Sequence, residues 1–130
     1  MYILDSDIII WILREKLEVI QAVRNIISHD QTGISTISIA EIYKNVFPEE
    51  IPNTEFFISR QQIFVVTTEI AKSSGFYWHQ FYKNNQGLSL PDCIIAATAQ
   101  KEKAKLLTLN GKHFPMKDIN IINPLYDFRD

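Results

Sequence analysis

Cysteine is nearly absent from this chain. Cys93 stands alone, so no internal disulfide can form and an oxidising export route is not indicated. Glycine is scarce, with four residues in all, and they do not assemble a G-x-x-x-x-G-K phosphate loop. No apolar run approaches the roughly 18 residues that span a bilayer. The amino-terminal apolar stretch is broken by Asp5 and Asp7 and has no basic segment before it, unlike a signal peptide. The expectation is a soluble, cytoplasmic protein without membrane contact. His29, His79 and His113 lack metal-ligand spacing to one another. Strong charge of either sign is missing too. A formal net charge of −2 argues against a general nucleic-acid coat. Five of the 13 Lys and Arg residues nevertheless fall between 101 and 117, either as a local basic patch or as a solvated helix end.

What is present is an ordinary globular composition, 46% hydrophobic over 130 residues, enough for one domain over 1–130 with a substantial core. Apolar residues 2–4 run into Asp5, as in a buried parallel strand whose carboxyl end carries an acid. A helix is expected over 7–14, capped by Ser6, and another over 17–28, with Gly33 in the turn that follows. A second strand is expected over 34–37, and the S-x-x-E sequence from Ser38 to Glu41 reads as a capping box opening a third helix. Further helices are expected over 53–62, over 68–83 behind Thr67, and over 93–103 behind Pro91 and Asp92, the 68–83 helix ending at Gly87 or an Asn in a left-handed cap. Strands are expected over 63–66, 106–108 and 119–122, and the tail to Asp130 is expected to fray. Cys93 reads as a small buried hydrophobe, and Trp11, Trp78 and Tyr82 as packing residues. The alternation predicts an α/β fold, a sandwich around a mainly parallel sheet.

In such a sheet ligands bind beyond the carboxyl ends of the strands. Asp5 falls there. Glu41 follows the second strand, and Asp92 joins them if the long helix before it returns the chain to the same edge. Asn110 follows the fourth strand. Acids gathered there repel one another unless protonated or bridged by cations, and oxygen-only ligands select hard ions such as Mg²⁺ or Mn²⁺. Each residue also has a structural explanation. Glu41 can be the third residue of a capping box, Asp92 and Asp7 helix-dipole acids, and Asn110-Gly111 a turn. Asp5, ending a buried strand, has no such excuse, and its expected partner is a cation.

Four segments carry a family likeness: Ile3-Leu4-Asp5-Ser6-Asp7, Ile37 to Ile42 around Glu41, Leu90 to Ala99 around Asp92, and Leu107 to Pro115 around Asn110 and His113. They resemble, in order and spacing, the motifs of PIN-domain ribonucleases, above all the short toxins of VapC type. The resemblance implies a three-layer α/β/α sandwich. It also implies a Mg²⁺- or Mn²⁺-dependent endoribonuclease of a toxin–antitoxin pair, acting on RNA, restrained by a cognate antitoxin and commonly homodimeric. It places Asp5, Glu41 and Asp92 as metal-holding catalytic acids and Ser6 as a nearby hydroxyl. Asn110 stands where many members have a fourth acid. Lys103, Lys105 and Lys112 are candidate phosphate contacts. Two other classes compete. One is a PIN-like RNA- or protein-binding module without turnover. The other is an aspartyl-phosphate phosphatase using Asp5-Ser6-Asp7, which Ile8-Ile9 disfavours where that family has a Gly-Thr type turn.

Overall fold

The computed structural model of the chain describes residues 1–126. Five strands, β1 (Tyr2–Leu4), β2 (Thr32–Ser35), β3 (Gln62–Phe64), β4 (Lys105–Leu107) and β5 (Ile121–Ile122), form one sheet in the order β3-β2-β1-β4-β5. Every pairing is parallel. The helices are α1 (Ser6–Leu13), α2 (Leu17–Ile27), α3 (Thr36–Tyr43), α4 (Ile51–Ser59), α5 (Thr68–Phe81) and α6 (Leu90–Glu102).

The period of two along a strand divides the core between the faces of the sheet. Tyr2, Leu4 and Leu107 pack with Ile8, Ile9, Val19, Val23 and Ile42 of α1, α2 and α3. Ile3 and Leu106 point the other way, into Ile70, Tyr77, Cys93, Ile95 and the small residues Ala96, Ala97 and Ala99 of α5 and α6. The result is the expected α/β/α sandwich. The alanines lie wholly inside, so α6 packs close to the sheet. Cys93 is buried and free.

Strand order reverses at β1. The chain builds β1, β2 and β3 outward on one side, then crosses to place β4 and β5 on the other. The cleft between β1 and β4 is therefore the topological switch point, the place where such sheets take ligands. Lys101, near the end of α6, pairs with Glu69 in the first turn of α5 at 3.2 Å. The two helices thus run antiparallel, and α5 returns the chain to the start of α6. This supplies the topological condition that Asp92 needs.

Several local expectations are corrected. Pairing to β1 and β3 pulls the second strand back to Thr32–Ser35, so Gly33 lies inside a strand and not in a turn. A Cβ there would stand 2.5 Å from the Phe64 ring, which occupies the space. Helix α3 accordingly begins at Thr36 with Ser35 as its cap, and the capping box at Ser38 does not form. Ser38 is buried instead, and its hydroxyl has no hydrogen-bond partner among the described residues. The fourth helix begins at Ile51, behind a short 3₁₀ turn at Pro48–Glu50. Gly87 is not left-handed; positive φ is taken instead by Glu15, Ser28 and Lys103, the last in a left-handed cap at φ 53° that ends α6. Trp11, Trp78 and Tyr82 lie at the surface, the last two stacked at 4.4 Å. The fraying expected of the tail concerns positions beyond 126, outside the described residues.

Candidate active site at the carboxyl edge of the sheet

Leu4 and Leu107 are paired across β1 and β4. The next residue on each strand, Asp5 and Thr108, therefore stand side by side where the pairing ends. The Asp5 backbone N–H donates to the Leu107 carbonyl at 2.9 Å. Its side chain turns into the same cleft, where Oδ2 accepts the Thr108 hydroxyl at 2.8 Å and Oδ1 accepts the Ser6 N–H at 2.8 Å. Asp5, not Ser6, is thus the cap of α1, and it has the capping role that its strand-end position seemed to deny it. Both of its partners are neutral. Asp5 is 5% exposed. Burial, followed by the nearby Asp7 charge, pushes its carboxyl up to about 7, against the opposing pull of the Thr108 and Ser6 hydrogen bonds.

The other acids surround it. Glu41 lies in the second turn of α3, where its Oε1 accepts the Ser6 hydroxyl at 3.1 Å. Asp92 lies in the first turn of α6, whose cap Ser89 accepts the Asp92 N–H at 3.2 Å. The carboxyls of Glu41 and Asp92 both sit above their ordinary values, mainly through burial. Asp92 raises Asp5, Asp7 and Glu41, and Asp7 raises Asp5 and Glu41, so these side chains share one electrostatic neighbourhood. Two basic groups approach its rim. Lys44 favours the Glu41 charge, and His113 Nδ1 lies 3.9 Å from Asp92 Oδ2.

Asp7 is far more engaged than a first-turn helix acid needs to be. Its Oδ1 accepts the Ile8 N–H at 2.7 Å. Its Oδ2 accepts the Asn110 side-chain amide at 2.9 Å and the Leu109 N–H at 3.1 Å, with the Thr108 hydroxyl at 3.4 Å. Asn110 is thereby brought to the cluster through Asp7. Lys103 and Lys105 are not. Lys105 opens β4, at the opposite edge of the sheet, with its ammonium 5.6 Å from the Tyr2 ring centre. Of the candidate phosphate contacts, Lys112 alone follows the carboxyl end of β4, in the turn Gly111–His113. Sequence reasoning placed Thr108 and His113 in the fourth motif without giving either a role, and it undervalued Asp7. The T-x-N-x-x-H spacing from Thr108 to His113 was the available signal for the first two.

The donor set suits a hard divalent ion: several part-buried carboxylates, all held above their ordinary range, with only neutral partners on Asp5. Among the described residues, however, no three His, Cys, Asp or Glu side chains already converge into a ready-made metal cage.

The PIN-domain family model matches residues 2–119. Ribonuclease VapC10 of Mycobacterium tuberculosis (strain ATCC 25618 / H37Rv) is 30% identical over 119 residues, covering 89% of this chain and 87% of the relative. Among solved structures, DNA-bound VapBC from Salmonella typhimurium superposes with a TM-score of 0.79 at 26% identity, covering 95% of this chain and 97% of the other. A toxin–antitoxin complex from Klebsiella pneumoniae gives a TM-score of 0.77 at 26% identity, covering 95% and 98%. With its parallel sheet, its switch-point acids and these relatives, the chain belongs to the PIN-domain family, among the proteins of VapC type.

Proposed function

We propose that the chain is a Mg²⁺- or Mn²⁺-dependent endoribonuclease, the toxin of a toxin–antitoxin pair, acting in the cytoplasm. The observation that carries this reading is the group of Asp5, Glu41 and Asp92 at the β1/β4 switch point, each held above its ordinary pKa and, among the described residues, in no salt bridge with a lysine or arginine. The ribonuclease name of VapC10 and the toxin–antitoxin assembly of the Klebsiella structure support it.

In this mechanism Asp5 and Asp92 would hold the ion, and Glu41 would hold it directly or through water; when bound, the ion would supply polarisation of a phosphoryl oxygen and charge stabilisation for the leaving oxygen. Glu41, its carboxylate fixed by the Ser6 hydroxyl, orients the attacking water and accepts its proton, a task that its raised pKa favours. Asn110 positions that water, and Lys112 meets a phosphate of the RNA. We extend the reading to a homodimer on the strength of the exposed aromatic Phe76 of α5, which sedimentation would test.

The decisive assay incubates the purified protein with total tRNA and rRNA, with and without Mn²⁺. Cleavage is expected with the ion, to be stopped by EDTA, and to be lost in Asp5→Asn and Asp92→Asn variants that remain folded. Wild-type cleavage by folded Asp5→Asn would sink the assignment. Asn110, an amide where many relatives have an acid, favours a second reading: a PIN-like binding module without turnover. Calorimetric titration with Mn²⁺ separates the two, since a module without turnover has no need of the ion.

A further inference from the structure

We propose that Asp7 is a positioning residue: by accepting the Asn110 amide N–H it sets the Asn110 carbonyl oxygen, Oδ1, as a neutral acceptor for the attacking water. This rests on the ribonuclease reading and extends it to residues that the reading leaves unexplained.

The geometry is unusually directed for an exposed asparagine. The Asn110 backbone N–H donates to Thr108 Oγ1 at 3.0 Å, and its side-chain Nδ2 donates to Asp7 Oδ2 at 2.9 Å. Asp7 is itself tied at both oxygens, by Ile8 on one and Leu109 on the other. An amide is planar, with nitrogen and oxygen on opposite arms of one carbon, so fixing Nδ2 also fixes Oδ1. None of the described residues donates a hydrogen bond to Oδ1, and Asn110 is exposed. The carbonyl is therefore turned away from Asp7 and left open to accept from a water or ligand at the site. The arrangement also accounts for an amide at 110. An aspartate there would set a second carboxylate in the place of the amide 2.9 Å from Asp7, and two like charges at that distance repel. Asp7 carries the charge and Asn110 the directed acceptor.

The test is a double-mutant cycle. Both Asp7 oxygens accept backbone N–H groups, so Asp7→Ala removes the acceptor cleanly, where an asparagine would turn its own amide against Ile8 or Leu109. Asn110 Nδ2 then loses its partner, and the carbonyl is no longer directed. Expected is a fall in kcat of about 10- to 100-fold, the scale of a misplaced positioning group, with KM changed less than about threefold. In an Asn110→Ala background the same substitution is expected to lower kcat by less than about threefold more. A residue that only stabilised the fold would lower melting temperature and act equally in both backgrounds. Independently of activity, NMR of the Asn110 side-chain amide is expected to show one exchange-protected, downfield proton in wild type and none in Asp7→Ala. An Asn110 amide indifferent to Asp7→Ala, or kcat losses that simply multiply in the double variant, overturns the proposal. If wild type cuts no RNA, the ribonuclease reading fails on its own, and the NMR result still decides whether Asp7 sets Asn110.

Discussion

Replacing Asp5 with asparagine is expected to abolish RNA cleavage and, in the absence of metal, to make the fold more stable at neutral pH. The folded carboxyl sits at about 7 against an ordinary 3.8. Between those values the folded chain holds a proton that the unfolded chain has released, so stability falls as pH rises through the window and the loss is complete above about 7. At about 1.4 kcal/mol for each tenfold change, keeping Asp5 ionised at pH 8 costs on the order of 4 kcal/mol, part of it owed to the Asp7 charge. Asparagine removes that cost and keeps the hydrogen bonds. Its carbonyl can still accept the Ser6 N–H and cap α1. Its amide can donate to Thr108 Oγ1, freeing the Thr108 hydroxyl hydrogen for Asp7 Oδ2, now at 3.4 Å. The assay is thermal melting of wild type and Asp5→Asn in EDTA from pH 5 to pH 8. The variant's lead is expected to be small near pH 5, where part of the window is already crossed, and to widen by roughly 6–10 °C up to pH 8, a further gain on the order of 2 kcal/mol. Saturating Mn²⁺ then raises the wild type and leaves the variant nearly unmoved. A gap independent of pH, or a variant that melts lower at pH 8, would refute the argument that Asp5 is a buried charge awaiting a cation.

Other substitutions test the frame around the site. Ser38→Ala removes a buried hydroxyl without a partner among the described residues and is expected to stabilise by about 1 kcal/mol, read from urea midpoints. Tyr77→Phe takes from Asp118 a hydroxyl that donates at 2.9 Å to both of its oxygens, leaving it Gln100 at 2.7 Å. A loss of about 1 kcal/mol is expected, with cleavage unchanged. Lys103→Gly relieves a left-handed side-chain residue at φ 53° and is expected to gain about 0.5–1 kcal/mol, which differential scanning calorimetry would detect.

The layered fold was legible because β1, β4 and β5 are built on short apolar runs and helices such as α2 carry an apolar stripe between them. The positions of Asp5 and Asn110 followed from strand ends. Glu41 was located on the correct helix for a wrong local reason. Ser35, Thr36 and Ser38 all offer a hydroxyl, and only pairing to β1 and β3 selects Ser35 as the cap. Gly33 looked like a turn because sequence does not reveal that the Phe64 ring fills the place of its Cβ. Asp7 was read as a helix-dipole acid because its identifying partners lie about a hundred positions away, at Thr108, Leu109 and Asn110. Lys103 and Lys105 were close to Lys112 in sequence, but a strand separates them, and three parallel residues suffice to carry the chain from one edge of the sheet to the other.

The pairing of β1 with β4 also has a consequence for biosynthesis. Asp5 is made well before its hydroxyl partner Thr108, which follows 103 positions later. At about 5–20 residues per second this interval lasts roughly 5–20 s. During it the emerging chain carries an acid without the strand that shapes its surroundings. The cluster closes only when β4 has left the ribosome and inserted beside β1. A nascent chain thus lacks the assembled acid cluster until synthesis has passed β4.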